Sequence, residues 1–243
     1  MEIKQGDLLK VDLGVHVDGY PVCVSHTVAV GGQSQEQQRL VSAAWQALQC
    51  VVKQFGVEMD NQKIALAIGD VCRSYGVGQV PGVLGHQVKR WIIDGNEVVL
   101  NRETFEDKSF NYRFQNGDVF CFDVILCQDE ECRTEASQHR STVFKRNIDK
   151  TYSLKSQKGR QFLNQIKSQF QMGFSLISFD EIVARIGVSA AQKHELLQEY
   201  PVIETKGKGR VAQFKWTVGL VDGKIIILGG KKKPGFELIE GKE

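Results

Sequence analysis

Apolar and polar positions alternate at the start of the chain in the pattern of a β-hairpin. Leu8 to Val17 repeats with a period of two, and Tyr20 to Val30 gives a second strand. Between them Asp18-Gly19 is a strong two-residue turn signal. A two-residue loop pairs Val17 with Tyr20, so that opposed residue numbers sum to 37. Asp12 then faces Ser25 and Gly14 faces Cys23, which makes Asp12 and Cys23 diagonal neighbours on one face, roughly 7–8 Å apart. Pro21 has no amide proton, which places it on an unpaired side or at a bulge.

Helical periodicity follows. Leu40, Ala44, Ala47, Leu48 and Val51 recur on one face of a helix predicted over Gln35–Phe55. A second helix is expected over Gln62–Tyr75, capped by Asn61 and closed by Gly76. A Gly-rich connection, GVGQVPGVLGHQ, leads to a strand-like stretch at Trp91-Ile92-Ile93, and the polar region from Asn101 to Tyr112 reads as a surface loop. Val119 to Leu126 is a nearly continuous apolar strand interrupted by Asp123. After it, QDEECRTEASQHRS reads as an exposed loop and Thr142–Lys145 as a short strand. Helices are predicted at Gly159–Phe170, Phe179–Gly187 and Ala190–Leu197. The chain closes in strands: Pro201–Thr205, Val211–Val221 and Lys224–Leu228, the last two joined by an Asp222-Gly223 turn. Hairpins mixed with segregated helices predict an α+β fold, a single domain over 1–243 with an inserted basic, helical segment at about 145–200.

Composition narrows the class. The 243 residues are 42% hydrophobic and 25% charged, which excludes a disordered chain or a fibre. No apolar run approaches the roughly 20 residues of a membrane span, and the N-terminus lacks a signal core, so an intracellular protein is expected. With 31 Lys+Arg against 29 Asp+Glu, any nucleic-acid contact must come from local patches. Six cysteines without a C-x-x-C pair read as buried thiols; Cys121, Cys127 and Cys132 are spaced irregularly for metal ligands.

The strings KVDLGVHVDGYPVCVSHTVAV, VLGHQVKRWIIDG, NGDVFCFDV, AAQKHELLQEYPV and RVAQFKWTVGL resemble the methionine aminopeptidase-like, pita-bread metallopeptidases. Within that fold they are most similar to the proliferation-associated (ErbB-receptor-binding) family, which has no known peptidase activity. The resemblance runs in order from Gly6 to about Leu228, and it implies a pita-bread fold whose helical N-terminal portion is missing from this chain.

Active members of the fold hold two divalent ions with two Asp, one His and two Glu, assisted by a second His. Carried over residue by residue, the resemblance puts Asp12 at the first Asp position, Cys23 at the second, His86 at the ligand His and Asp94 at the assisting His. Asp123 takes the first Glu position and Lys215 the last. Two divalent ions bring four positive charges that carboxylates must neutralise. Cys23 removes one carboxylate, and Lys215 replaces another with a cation that offers no lone pair while protonated. No metal or other cofactor is therefore expected, the alternative being zinc on Cys23, His86 and Asp12.

The resemblance implies a pseudoenzyme acting as an RNA- or ribosome-binding adaptor in growth control, ribosome biogenesis or translation. Its partners would be the large ribosomal subunit or structured RNA, with room for protein partners, in the cytoplasm and the nucleus or nucleolus, and not a membrane. The alternative is an active methionine aminopeptidase or proline dipeptidase. Phosphate contact needs concentrated Lys and Arg. The candidates are Lys206, Lys208 and Arg210, in a turn whose glycines admit phosphate to the backbone, and Lys231, Lys232 and Lys233. Other basic positions gather at Lys145-Arg146, Lys150, Lys155 and Lys158-Gly159-Arg160.

Overall fold

The computed structural model describes residues 2–102, 111–207, 209–230 and 239–241. The chain forms two compact units. Unit one takes Met1–Lys89, Asp94–Glu135 and Thr205–Glu243; unit two takes Arg90–Ile93 and Ala136–Glu204.

Unit one begins with β1 (Leu8–Val17) and β2 (Tyr20–Ala29), paired antiparallel from Leu8 opposite Ala29 to Val17 opposite Tyr20. Every pair has the register the two-residue turn requires, and Pro21 sits opposite His16 with no bulge. Helix α1 (Gln35–Gln54) starts at a capping box: the Ser34 hydroxyl accepts from the Gln37 amide while the Gln37 side chain accepts from the Ser34 amide. Helix α2 (Gln62–Tyr75) has the predicted bounds but a different cap. Asp60 Oδ1 accepts from the Gln62 amide at 2.9 Å. Asn61 instead turns inward, donating to the Val98 carbonyl and accepting from the Tyr112 amide. A buried amide needs both of its partners, and only the tertiary ones satisfy it.

The remaining strands of this unit are β3 (Gly78–Gln79), β4 (Leu84–Gln87), β5 (Val98–Leu100) and β6 (Val119–Cys127). Strand β4 lies within the Gly-rich connection, while Trp91-Ile92-Ile93 forms no strand. Trp91 has φ of 63°, and Ile92 makes a single bridge to Gln171. Asn101, the first residue of the predicted surface loop, is buried and donates to the carbonyls of Val80 and Ile125, while residues 103–110 of that loop lie outside the described residues. The stretch read as an exposed loop after β6 contains β7 (Thr134–Ala136).

Unit two contains β8 (Val143–Arg146), α3 (Gln157–Ile166), β9 (Phe174–Ser175), α4 (Glu181–Lys193) and β10 (Leu197–Glu199), with β8 between β10 and β9. Helix α4 is continuous where the sequence pattern predicts two helices. Gly187 does not break it: a Cβ there would lie 2.3 Å from the Phe162 ring, so the glycine lets α3 and α4 pack closely. Phe144, Phe162, Ile166, Phe174 and Ala191 form this unit's own core. The sequence reading inserts a segment at about 145–200 into one domain; the compact second unit spans 136–204 with Arg90–Ile93.

The chain returns through β11 (Ile203–Thr205), which pairs with β7. It finishes with β12 (Val211–Val221) and β13 (Lys224–Gly229), a hairpin with the predicted turn. The main sheet runs in the order β1-β2-β12-β6-β4-β5, with β13 also on β12 and β3 also on β6. Helices α1 and α2 cover one face, where Leu40, Ala44, Leu48, Phe120, Phe122, Phe214 and Trp216 form the core. No helix among the described residues is long and apolar enough to cross a membrane.

Candidate functional site

Strand alternation sorts the chemistry onto the face of the sheet away from α1. Along β12, Phe214, Trp216, Val218 and Leu220 enter the helix-covered core, so Gln213, Lys215 and Thr217 point the other way. Along β6, Phe120, Phe122 and Val124 do the same, which turns Cys121 and Asp123 to the opposite face. Register aligns these positions across four strands. Asp12 opposes Ser25, Ser25 opposes Lys215, and Lys215 opposes Asp123. One step along, Gly14 opposes Cys23, Thr217 opposes Cys121, and Cys121 opposes His86.

Between β2 and β12, side-chain hydroxyls supplement a one-residue ladder. Thr217 Oγ1 accepts from the Cys23 amide and donates to the Cys23 carbonyl, both at 2.8 Å. Thr27 Oγ1 donates to the Gln213 carbonyl at 2.8 Å and accepts from its amide at 2.7 Å. Two threonines therefore hold the register that lines up the charged row.

At the centre of that row, Lys215 Nζ donates to Asp12 Oδ2 at 2.5 Å and lies 3.1 Å from Asp123 Oδ2. Gln213 Nε2 donates to both oxygens of Asp123, at 2.8 and 3.1 Å. The side chains of Lys215 and Asp123 are only 15% and 16% exposed, whereas Asp12 is 46% exposed. Burial alone pulls the Lys215 ammonium down, but the Asp123 and Asp12 carboxylates outweigh it and hold it above the usual lysine value. Burial pushes Asp123 up, against the lowering effect of Lys215 and Gln213. Cys23 is drawn below the usual thiol value by a hydrogen bond with Cys121, helped by Lys215 and opposed by burial. Cys121 is raised by the same bond and by burial.

These residues do not fit a pair of divalent ions. An ammonium contacts both remaining carboxylates, and both oxygens of Asp123 already accept hydrogen bonds. Cys23 shares its thiol with Cys121. Among the described residues, no group of three or more His, Cys, Asp or Glu is arranged to hold a metal ion, and this includes the Cys23, His86 and Asp12 set. Of the six catalytic positions implied by the resemblance, Asp12, Lys215 and Asp123 meet in ion-pair contact. Cys23 borders them electrostatically, and His86 joins through its pairing with Cys121. Asp94 stands in the loop after β4, next to Gly95, whose amide donates to the Gln87 carbonyl. Cys127 and Cys132 pair with each other: the hydrogen bond from Cys132, aided by backbone amides, brings Cys127 down to about 7.

Of the basic candidates, Lys208, Lys231, Lys232 and Lys233 lie outside the described residues. Lys206 and Arg210 are exposed, as expected of a turn. An acid packs against that turn, however. A Cβ on Gly209 would lie 2.5 Å from Asp129 Oδ2, so the glycine makes room for a carboxylate.

Sequence reasoning missed Gln213, Thr217, Thr27 and the Cys23–Cys121 partnership. A signal for two of these exists: Gln213 and Thr217 are two residues either side of Lys215, hence on its face. The strand order that brings Cys121 to Cys23 has no local trace.

Residues 1–149 match the metallopeptidase family M24. The chain is 35% identical over 223 residues to Proliferation-associated protein A of Dictyostelium discoideum, covering 89% of this chain and 57% of that protein. It is 30% identical over 247 residues to the Curved DNA-binding protein of Schizosaccharomyces pombe, covering 97% of this chain and 64% of that protein. The chain thus spans less than two thirds of the length of these curated relatives. Among solved structures, a thermophilic Arx1 superposes with a TM-score of 0.85 at 19% identity, over 98% of this chain and 70% of that one. The methionine aminopeptidase of Rickettsia prowazekii gives a TM-score of 0.59 at 16% identity, over 93% of this chain and 65% of that one. At these identities the structures establish the fold, which is the α+β pita-bread architecture of the methionine aminopeptidases.

Proposed function

The chain belongs to metallopeptidase family M24, and on that premise we propose that it is a non-catalytic member, an RNA- or ribosome-binding adaptor. One observation carries the loss of catalysis: the Lys215 ammonium lies within ion-pair distance of both Asp12 and Asp123. Peptide hydrolysis in this fold needs two metal ions to polarise the carbonyl and activate water. A buried cation on the remaining carboxylates repels those ions and occupies their ligands. The sheet itself does not depend on metal, since its core lies on the other face.

Support for the adaptor role comes from similarity to Proliferation-associated protein A, whose family resemblance implies association with large ribosomal subunits and structured RNA. A second relative carries nucleic-acid binding in its name, as the Curved DNA-binding protein. Exposed Lys206 and Arg210 are compatible with phosphate contact. In this reading the protein works in the cytoplasm and nucleus, in growth control, ribosome assembly or translation.

The test is a pair of assays on one preparation. The protein is expected to co-sediment with large ribosomal subunits at moderate salt and to release less as salt falls. It is expected to leave methionyl peptides uncleaved with added cobalt or manganese. Metal-dependent cleavage by the unaltered chain overturns the non-catalytic half, and failure both to co-sediment and to bind RNA overturns the adaptor half.

A further inference from the structure

Unit two contains a cavity of about 340 Å³, bounded by the 146–154 segment and helix α3. Its lining includes Arg146, Lys150, Arg160 and Lys167, and no carboxylate. Four cations at one concavity repel each other unless an anion joins them. Glu195 pairs with Lys150 at 3.0 Å, but that pair is largely exposed and holds little in water.

Both arginines are held by main-chain oxygens. Arg160 Nη1 donates to the Leu154 carbonyl at 2.9 Å and the Lys155 carbonyl at 2.6 Å. Arg146 Nη1 donates to the Lys167 carbonyl at 3.4 Å. With two carbonyl acceptors on Arg160 Nη1, its planar guanidinium is oriented and keeps Nη2 and Nε as further donors, while the long Arg146 contact only steers that group. The cost of ordering these side chains is then partly met before a ligand arrives.

An aromatic surface adjoins the cations. Tyr152 lines the same cavity, is 42% exposed, and stacks on His194 with ring centroids 3.6 Å apart and planes 14° from parallel. An oriented guanidinium among further cations, beside a supported aromatic ring, is what a nucleotide of a single strand needs: phosphate on the cations, base on the ring. The volume is at the low end of ligand cavities, enough for one nucleotide. A duplex keeps its bases stacked inside and has none to offer the ring.

The geometry points to a site in unit two that takes one nucleotide of single-stranded RNA, its phosphate against Arg146 and Arg160 and its base on Tyr152. The site deepens the RNA-binding reading and rests on it. It differs from the 206–210 turn, where Asp129 crowds the backbone that phosphate would approach.

The experiment measures binding of the full chain to a fluorescent ten-nucleotide uridine RNA across a salt series. Tyr152→Ala is expected to weaken binding at least fivefold, roughly the lower bound for losing one stacked base. Tyr152→Phe keeps the ring and is expected to restore the parent affinity. Arg146→Ala with Arg160→Ala is expected to flatten the slope of log affinity against log salt by about 0.7, one phosphate contact on a single strand. Lys206→Ala with Arg210→Ala is expected to do much less. If the parent binds the RNA and the Tyr152 and Arg146/Arg160 variants bind it equally well, the site is refuted while the RNA-binding reading stands. Equal affinity for a duplex of the same length also refutes the site. If the parent binds neither RNA, both fall.

Discussion

Replacing Lys215 by Met tests the central ion pair, because it keeps an unbranched side chain of similar reach and removes only the charge. Asp12, nearly half exposed, stays hydrated in the variant. Asp123 does not: its side chain is 16% exposed, and it keeps only Gln213 as a charge-stabilising partner. Removing one partner of a buried pair costs about 3–5 kcal/mol. The retained Gln213 bonds place this case at the low end, about 3 kcal/mol at pH 8. For a chain of this size that lowers Tm by about 6–12 °C.

The pH dependence has a definite sign. In the parent, the raised Lys215 value gives a stabilisation that is complete below about 10.5 and is lost only as pH rises through the folded value. It is therefore constant between pH 5 and 8. Asp123 is raised by burial, and losing Lys215 removes the main influence holding it down. A carboxyl raised on folding favours the folded state when protonated, so the variant should be most stable at low pH and weaken as pH rises. The deficit against the parent should shrink from about 3 kcal/mol at pH 8 toward 1 kcal/mol near pH 5. Urea unfolding followed by the emission of Trp45 and Trp216, both buried in the same core, measures it. Lys215→Met combined with Asp123→Asn should recover most of the loss at pH 8. A deficit that is the same at both pH values, or a double variant no better than the single one, refutes the buried-carboxylate reasoning.

Two further perturbations probe the same face. Cys23→Asp with Lys215→Glu returns two carboxylates to the row and is expected to create divalent-metal binding visible by calorimetry, without turnover because Asp94 supplies no imidazole; no heat of binding would show that the donor geometry has departed from the family template. Thr217→Val keeps the shape but strands the buried Cys23 amide and carbonyl, and is expected to cost about 3 kcal/mol in urea unfolding; a loss below about 1 kcal/mol would mean that the hydroxyl is not what joins β2 to β12.

Short-range features were legible in the sequence because short-range physics determines them. The Asp18-Gly19 turn fixes the register of β1 and β2, and that register places Asp12 beside Cys23 as expected. The β12–β13 hairpin and the bounds of α2 follow from similar local signals. Features decided by distant partners were not legible. Asn61 looks like a cap until Val98 and Tyr112, from remote segments, claim its amide. Gly187 looks like a helix end until Phe162 fills the space above it. Trp91 looks like part of a strand, yet its backbone turns left-handed and its ring packs on Phe170. The meeting of Lys215 with Asp12 lies between these cases: the resemblance names both positions, but only the strand order β1-β2-β12-β6 brings an ammonium within reach of two carboxylates.

That strand order also lets one sheet carry either a metal site or an ion pair without disturbing the fold. Each strand contributes alternate residues to two faces, and the faces answer to different constraints. On the helix side, Phe120, Phe122, Phe214 and Trp216 are packed against α1 and α2, where a change of even one methylene is felt. On the other side, register alone aligns Asp12, Ser25, Lys215 and Asp123, and the row needs only charge balance to remain stable. Two metal ions with four carboxylates cancel in full; one ammonium against two carboxylates leaves a single negative charge, which the half-exposed Asp12 shares with water. An exchange between them need not change the core.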